Sequence, residues 1–485
     1  MVDKPEKLSP GRKAAFACGD VFGGGAFNIL NFLYPAYAAL TLGLGASLTG
    51  IIVMLSKIWD AVTDPFMGLI SDGTRSRMGK RRVYILAGAP LVLVSMVLLF
   101  FPWNISSTAL RFTAALLSYM FFATVETMVM IPYYSLSSEI SSDYTERAKA
   151  NTLRIGFSVA SSIVCVAVPN LIVNAVGQPS GYIVMSVAFG LLFALTLTVT
   201  ALWAKEEVVS PPVRAKFSFK EFVKPLRCKS FRGYMGMQVC AGTTMAVMSG
   251  VFFFYIMYVV KSGNTLAAGG VGDGLGTMAA GVMFAMQIVA LPLYLKIIRA
   301  KSKASAYRVG AAGWIAVAFL LLFVPPDLPD SLNWIIFVMA ALIGLGVSGA
   351  VLAPHTMIGD VNDAFELQFG ARSEGAVSGL LNLLNKTGQA LGVGIALNLL
   401  ELAGGFVNPA PGEYIAAQPQ SAQTMLTLFM ALTPLVIMTI GILISRRYKI
   451  TEQKQREIAD FNARFAAAEN KAALEEERQR LLDTL

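Results

Sequence analysis

The chain has 485 residues, of which 55% are hydrophobic and 14% are charged, and its mean hydropathy is +0.61. Soluble domains carry about 25% charged residues, so this composition excludes a soluble globular protein and predicts an all-α membrane protein. The four cysteines have neither metal-ligand nor disulfide spacing, and the single histidine, His355, cannot build a metal site alone. We therefore expect no metal cofactor and no disulfide framework.

Twelve stretches of roughly 20 apolar residues run along the chain, each long enough to cross a bilayer as a helix. We predict twelve transmembrane helices, with bounds accurate to within several residues. The predicted spans are 14–42, 47–71, 83–103, 109–139, 150–176, 180–203, 231–260, 275–298, 305–325, 332–357, 374–403 and 419–445.

Lysine and arginine are concentrated in every second connection. The basic loops include RSRMGKRR (75–82), ERAK (146–149) and RRYK (446–449), whereas PPDLPDS (325–331) lacks both residues. Because cytoplasmic loops are the basic ones, both termini are predicted to be cytoplasmic. The net charge of +9 then indicates contact with anionic membrane lipids, not with nucleic acid.

The longest polar stretch between spans divides the chain into two halves. Residues 205–229 are predicted to be a cytoplasmic linker between six-helix bundles at 1–204 and 230–446. Short basic connections recur after the second and the eighth span, a pattern typical of a transporter with its substrate site between two related halves. Residues 447–485 are predicted to form one solvated cytoplasmic helix.

Two carboxylates interrupt the second span. Asp60 and Asp64 are four residues apart, so they lie on the same face of a helix. A carboxylate that faces lipid costs at least ~2.5 kcal/mol, so both acids must face a protein interior or a wet cavity. The pattern predicts a cation or proton site. The alternative is that Asp60 simply pairs with a buried base.

The sequence around these acids resembles a known transporter family. WDAVTDPFMGLISDGTRSRMGKRRVYIL (59–86), IPYYSLSSEIS (131–141), ARSEG (371–375) and NKTGQALG (385–392) resemble motifs of the glycoside–pentoside–hexuronide:cation symporters. This resemblance implies the major-facilitator fold and uptake of a small-molecule substrate (a sugar, glycoside or sugar acid) by alternating access. It also implies a bacterial inner-membrane location and no cofactor besides the coupling ion, H⁺ or Na⁺.

Several residues match the family's cation site. Asp60, Asp64 and Thr127 fall at its cation positions, and Lys386 matches a lysine that lies near the acids of the second span. A further acid can precede the Ile-Pro of the fourth span, but this chain has Met130 there, and Glu126 lies one turn earlier. The departure at Met130 favours H⁺, although Na⁺ at Asp60 and Asp64 stays open.

Other residues match the family's substrate site. Asp20 and Arg154 fall at sugar-recognition positions, where each can form bidentate hydrogen bonds with vicinal hydroxyls; alternatively they form an internal salt bridge. Aromatic rings and amides complete the predicted substrate site. The rings either stack on the substrate or only pack between helices. Lys386 is also expected to contact the substrate. These additional candidates are Tyr34, Trp59, Tyr133, Tyr134, Asn382, Asn385 and Gln389.

The predicted interior charges do not balance. Four acids (Asp20, Asp60, Asp64 and Glu126) face two bases (Arg154 and Lys386). Two carboxylates in a low-dielectric cavity cannot both ionise cheaply without a cation. We therefore expect one or two cations or protons to neutralise the surplus, which favours symport.

The basic loop after the second span is predicted to form a cytoplasmic gate. By resemblance, its side chains form salt bridges that break when the inside opens. The predicted gate residues are Asp72, Arg75, Arg77, Glu139, Glu146, Arg372 and Glu374.

Three alternatives to a sugar symporter stay open. Relatives of this family that move lipids make a lysophospholipid carrier the second transport hypothesis. A membrane enzyme is disfavoured because the chain lacks HExxH, CxxC and GxSxG motifs. The last alternative is a membrane sensor that does not transport.

Overall fold

The computed structural model describes residues 8–141, 143–206, 219–261, 274–370, 374–408, 417–467 and 474–484. Within these ranges the regular structure is entirely helical. Twelve long helical segments are described, and ten helices meet the length and hydropathy expected of a membrane span. The prediction of an all-α membrane protein is confirmed.

The helices follow the predicted spans closely. They are α1 (residues 10–41), α2 (Gly45–Asp72), α3 (Arg82–Leu99), α4 (Thr108–Glu139), α5 (Tyr144–Val176), α6 (Ser180–Trp203), α7 (Lys229–Val260), α8 (Leu275–Ala300), α9 (Lys303–Phe323), α10 (Trp334–His355), α11 (Ile358–Phe369), α12 (Glu374–Leu402), α13 (Gln420–Ser445), α14 (Glu452–Ala467) and α15 (Glu475–Asp483). The predicted eleventh and twelfth spans are therefore α12 and α13.

The first helix is irregular at the depth of the predicted site. It contains two π-helical turns, Ile29–Leu33 and Tyr37–Thr41, on either side of Pro35. Proline has no backbone N–H to donate, and π-turns are frequent at functional sites. This irregular stretch carries Asn28 and Asn31, whose side chains are buried.

Packing between helices places α2 and α12 against each other. Within the first half, α1 packs on α5, α2 on α4, and α3 on α6; within the second, α8 and α9 both pack on α10. Between the halves, α2 packs along α12, α5 against α8, and α1 against α7. The candidate site lies along these contacts between the halves.

The two ends of the helices differ in charge. We call the end with the α2–α3, α4–α5 and α8–α9 loops the basic face, and the opposite end the neutral face. The names describe only the loop sequences, because the orientation in the membrane is a prediction.

Two features of the basic face differ from the sequence prediction. A short helix, α11, follows α10 and ends at Gly370, whose φ of 71° is one that glycine adopts without strain. The predicted single helix 447–485 is instead described as two helices, α14 and α15, joined by the ion pair of Arg464 and Glu477. They pack on α11, since Asn462 donates to the Asp363 carbonyl (2.9 Å) and Arg478 donates to the Leu367 carbonyl (2.8 Å).

Candidate functional site

A cavity of about 370 Å³ lies between the two halves. It is lined by side chains of α1, α2, α4, α7, α10 and α12. Polar and charged residues form one part of its wall: Asn28, Asn31, Asp64, Glu126, Thr127, Tyr134, Gln238, Ser249, His355, Asn382, Asn385, Lys386 and Gln389. Apolar residues form much of the rest, among them Phe27, Phe32, Met130, Ile131 and Met245.

The predicted cation residues come together at one side of this cavity. The Lys386 ammonium lies 2.6 Å from Asp60 Oδ2 and 2.6 Å from Asp64 Oδ2. The Thr127 hydroxyl lies 2.7 Å from Asp60 Oδ1 and 2.9 Å from Asp64 Oδ1. Each carboxylate thus contacts both the hydroxyl of Thr127 on α4 and the ammonium of Lys386 on α12. Both acids are buried, with 7% and 8% of their surface exposed.

This cluster already contains a monovalent cation, the side chain of Lys386. Buried carboxylates are stable only when they are paired and hydrogen-bonded, and the ammonium and the hydroxyl provide both kinds of contact. The same oxygens are the ligands that a proton or a metal cation would use. Groups of three or more His, Cys, Asp and Glu residues that could hold a metal ion are absent from the described part of the chain.

Glu126 lies beside the cluster. It lines the main cavity and also a smaller one of about 50 Å³, which Asp60, Lys57 and Lys386 share. Met130, which stands where the family pattern can have an acid, lines the main cavity. Glu126 therefore brings a carboxylate into the same compartment one turn away from that position.

Lys57 is a site residue that the sequence analysis missed. Its ammonium donates to Asn31 Oδ1 (2.8 Å) and Gln389 Oε1 (3.3 Å), and it lies 5.5 Å from the centre of the Phe27 ring. Neutral amide oxygens of α1 and α12 therefore hold this cation. The signal was present in the sequence, because Lys57 precedes Asp60 by three residues and so lies near it on α2.

Lys57 corrects the charge count. The predicted tally compared four interior acids with two interior bases, and Lys57 is a third interior base, in the smaller cavity with Asp60, Glu126 and Lys386. With the acids ionised and the bases protonated, the compartment carries one surplus negative charge, not two. One monovalent cation or one proton is then enough to neutralise it.

Asp20 and Arg154 form a looser pair at the edge of the cavity. Arg154 Nε lies 3.9 Å from Asp20 Oδ2 and has no hydrogen-bond acceptor. The guanidinium lies 5.4 Å from the centre of the Tyr134 ring, which does line the cavity. The pair borders the cavity behind Tyr134 and retains an N–H that a ligand can use.

Three of the predicted aromatic residues, for which the sequence left substrate contact and packing open, do not line the cavity. Tyr34 is fully buried in an aromatic cluster, 4.7 Å from the Tyr119 ring centre. Tyr133 is also fully buried and donates to the Phe16 carbonyl (2.8 Å). Trp59 is 41% exposed and donates to Thr124 (2.9 Å). Tyr34 and Tyr133 therefore pack between helices, whereas Trp59 lies partly exposed beside α4.

The predicted amides Asn382, Asn385 and Gln389 all line the cavity. The structure adds three more that sequence reasoning missed: Asn28, Asn31 and Gln238. Asn385 Oδ1 and Gln238 Oε1 are buried without a hydrogen-bond partner. A buried polar atom normally has a partner, so these two acceptors are available to a ligand that donates hydrogen bonds.

The predicted gate residues form ion pairs within the first half. Arg81 pairs with Asp72 and with Glu139 (3.1 Å), and Lys80 also pairs with Glu139 (2.9 Å). These contacts fasten the α2–α3 loop to the end of α4. Among the basic side chains of this predicted loop cluster, Arg81 and Lys80 form the pairs, and Arg75 and Arg77 are exposed.

The other predicted gate residues divide into two groups. Glu146 pairs with Lys13 of α1 and with Lys149 (3.0 Å), and hydrogen bonds from these two lysines lower the pKa of Glu146. This pair also stays within the first half. Arg372 lies outside the described residues, and the side chain of Glu374 is not described.

Contacts between the halves occur at the neutral face. At the start of α2, the Ser47 N–H donates to Glu401 Oε2 (2.7 Å) and the Ala46 N–H donates to Asn408 Oδ1 (3.1 Å). Residues of the second half thereby satisfy two of the N–H groups that a helix N-terminus leaves unpaired. Asn170 of α5 also donates to Thr277 of α8 (3.0 Å). Hydrogen bonds thus link the two halves at the neutral face.

Comparison with known proteins places the chain among transporters. The family described as MFS/sugar transport protein matches residues 15–452. The putative glycoside/cation symporter YagG of Escherichia coli (strain K12) is 24% identical, over 95% of this chain and 96% of that protein. Sodium-dependent lysophosphatidylcholine symporter 1 of Gallus gallus is 23% identical, over 93% of this chain and 89% of that protein.

A solved structure supports the fold. The crystal structure of nucleoside transporter NupG has a TM-score of 0.56, with 14% identity, over 91% of this chain and 99% of that one. At this identity the likeness shows the fold alone, which is the major-facilitator fold.

Proposed function

Since the chain belongs to the MFS/sugar transport protein family, we propose that it is a symporter that couples H⁺ or Na⁺ entry to uptake of a sugar, glycoside or sugar acid. One observation carries the proposal. Two buried carboxylates of α2 share an ammonium of α12 at the wall of a cavity between the halves. Because the ion site joins the two halves, a relative movement of the halves rearranges it at the same time as the cavity.

In this proposal Lys386 is a tethered cation that the coupling ion replaces. A proton needs one carboxylate oxygen, whereas Na⁺ needs several, which Asp60, Asp64 and Thr127 supply. When the ion binds, the ammonium loses its partners and turns towards Glu126 or the substrate in the cavity. The single surplus negative charge favours one monovalent cation per cycle.

The proposed orientation has the basic face in the cytoplasm, with both termini on that side of a bacterial inner membrane. A neutral face closed by Ser47, Glu401 and their neighbours then corresponds to the inward-facing state. The bundles at 1–204 and 230–446 move relative to each other. The ion pairs that Arg81 forms, and those that Glu146 forms, keep the inner end of the first bundle rigid.

The substrate proposal rests on the polar wall. A sugar presents several hydroxyl donors and acceptors, which suit the open acceptors of Asn385 and Gln238 and the free N–H of Arg154. A lysophospholipid is the second candidate, favoured by the apolar wall and by the relative named as a lysophosphatidylcholine symporter. The density of amides around the cavity favours the sugar.

The test is uptake into proteoliposomes containing the purified chain. A panel of labelled sugars, glycosides, sugar acids and lysophosphatidylcholine is offered under a Na⁺ gradient, under a pH gradient and under neither. We expect one sugar class to accumulate only with a cation gradient. Accumulation of the lysolipid alone would replace the substrate class, and equal uptake with and without gradients would remove the symport assignment.

A further inference from the structure

Four phenylalanine rings from both halves pack together beside the main cavity. The centre of the Phe32 ring of α1 lies 5.9 Å from that of Phe252 and 6.5 Å from that of Phe253, both on α7. It lies 6.0 Å from the centre of the Phe284 ring on α8. All three pairs have edge-to-face geometry, which is attractive. We call these residues the Phe32 cluster. One ring of the first half is therefore held by three rings of the second.

The Phe32 cluster lies between the cavity and the neutral face. Both α1 and α7 run from the basic face to the neutral face, and Phe32 is the cavity-lining residue of α1 nearest to the neutral face. On α7 the corresponding residue is Ser249, and Phe252 and Phe253 follow it within about one turn. Loss of the contacts in this cluster would therefore favour access to the cavity from the neutral face.

Phe32 stands next to Asn31 in one π-helical turn. The turn Ile29–Leu33 comes just before Pro35, which has no N–H to donate to the Asn31 carbonyl four residues earlier. The Asn31 side chain is buried, and its Oδ1 accepts a hydrogen bond from the Lys57 ammonium (2.8 Å). A single irregular turn thus carries both a contact to the charged groups of α2 and the ring that joins the halves.

Lys57 lies where it experiences the charge of the smaller cavity. The titratable groups that share this cavity with Lys57 are Asp60 of its own helix, Tyr119 and Glu126 of α4, and Lys386 of α12. Charges interact strongly in a low-dielectric interior. In the proposed cycle the coupling ion removes the surplus negative charge, which weakens the attraction that holds the Lys57 ammonium in place. The hydrogen bond to Asn31 transmits this change to α1.

We propose that Asn31 is a positioning residue that links ion binding to the Phe32 cluster. When the coupling ion binds, the hydrogen bond from Lys57 to Asn31 loosens, the π-turn rearranges and Phe32 leaves its three partners. The cavity then opens towards the neutral face. This inference rests on the proposed function, because it requires a coupling ion.

The first test measures opening by labelling with a membrane-impermeant maleimide. Met245 lines the cavity about two turns before Phe252 on α7, so Met245→Cys reports access to the cavity. Ser331→Cys, at an exposed position between α9 and α10, identifies vesicles with the neutral face outside and corrects for the reagent's own rate. Both variants are made in a chain whose native cysteines are serine.

Labelling is measured without substrate, with Na⁺ added and, separately, at lowered pH. We expect one of these cations to raise the rate for Met245→Cys, divided by that for Ser331→Cys, at least about threefold. No rise with either cation overturns the inference.

The second test compares two asparagines of α1. Asn28 and Asn31 are both buried, both line the cavity, and each donates to the carbonyl four residues earlier (both 2.8 Å). Asn31 in addition accepts from Lys57. We expect Asn31→Ala to label rapidly at Met245→Cys with and without the cation, whereas Asn28→Ala keeps the cation response. An unchanged response in Asn31→Ala contradicts the inference.

The third test removes rings. Phe32→Ala deletes the ring that joins the halves, whereas Phe254→Ala deletes a buried ring of α7 that pairs with Phe406 (5.7 Å) inside the second half. We expect rapid, cation-independent labelling of Met245→Cys in Phe32→Ala and a retained cation response in Phe254→Ala. Slow labelling in Phe32→Ala would show that the cluster does not restrict access.

The outcomes separate this inference from the proposed function. If a cation gradient drives accumulation of substrate but Asn31→Ala keeps its cation response, only this inference fails. If no cation gradient drives accumulation, the proposed function fails together with this inference. If Asn31→Ala does not fold, the labelling of Phe32→Ala and Phe254→Ala decides.

Discussion

The two acid–base groups of the interior differ in strength and in what they connect. Lys386 lies 2.6 Å from each of two carboxylates and joins α12 to α2, across the two halves. Arg154 lies 3.9 Å from Asp20 and joins α5 to α1, within one half. The tight group links the two halves, and the loose pair leaves the Arg154 Nε–H without an acceptor. We therefore propose coupling for the first and substrate recognition for the second.

The largest expected effect comes from Asp64→Asn. This change removes the surplus negative charge and one of the two partners of Lys386, so no cation is needed for neutrality. We expect cation-driven accumulation to fall to the level of equilibration, while substrate exchange persists. Uptake under a gradient and counterflow, measured on the same proteoliposomes, separate the two. Full accumulation by Asp64→Asn would remove the coupling role.

Arg154→Ala tests the other member of the comparison. Hydrogen bonds to a charged group contribute about 1.5–3 kcal/mol, so we expect substrate affinity to fall roughly 10- to 150-fold. Arg154→Lys keeps the positive charge but lacks the planar guanidinium, so it should recover only part of the lost substrate affinity. The dissociation constant is measured by equilibrium binding of the substrate identified in the transport screen. An unaltered constant in Arg154→Ala would refute the recognition role.

Glu401→Gln probes the contact at the neutral face. Replacing the charged acceptor of the Ser47 N–H with a neutral one should weaken this contact by about 1 kcal/mol. The equilibrium between the states with the neutral face closed and open then shifts roughly fivefold towards the open one. Met54 packs against Gly394 of α12 near this contact. We expect Glu401→Gln to speed external maleimide labelling of Met54→Cys, in a chain whose native cysteines are serine. Equal labelling rates with and without Glu401→Gln would show that the contact does not hold the neutral face closed.

Lys57→Met should produce the smallest effect of the four variants. It should change the number of cations transported with each substrate molecule. Without this ammonium the compartment has two surplus negative charges, so we expect the ratio to rise from one to two. The double variant Lys57→Met with Glu126→Gln restores a single surplus charge and should restore the ratio. Parallel fluxes of cation and substrate give the ratio at a series of membrane potentials. A ratio of one in Lys57→Met would show that Lys57 does not set it.

The fold and the proximity of Asp60 to Asp64 could be predicted from the sequence for physical reasons. Apolar runs of membrane length appear directly in the sequence, and the four-residue spacing of Asp60 and Asp64 fixes their shared face. Lys386 is 322 residues from Asp64, so only its resemblance to a family position indicated that it lies near these acids. Lys57 was overlooked because it stands inside an apolar run, although its spacing to Asp60 is a local signal.

Other parts of the site depend on packing between distant segments. Trp59, Tyr34 and Tyr133 could not be assigned to the core or the cavity from sequence, because residue type alone does not give the direction of a side chain. In the basic loop after α2, many arginines are equivalent in sequence, and only the fold selects Arg81 for Glu139.

We propose above that the coupling ion replaces the Lys386 ammonium between Asp60 and Asp64. The most direct test is the number of cations that the purified chain binds in nanodiscs without substrate, from ²²Na⁺ binding at alkaline pH together with proton uptake. We expect one monovalent cation per chain, and none in Asp64→Asn. Unchanged cation binding in Asp64→Asn would contradict the proposed replacement.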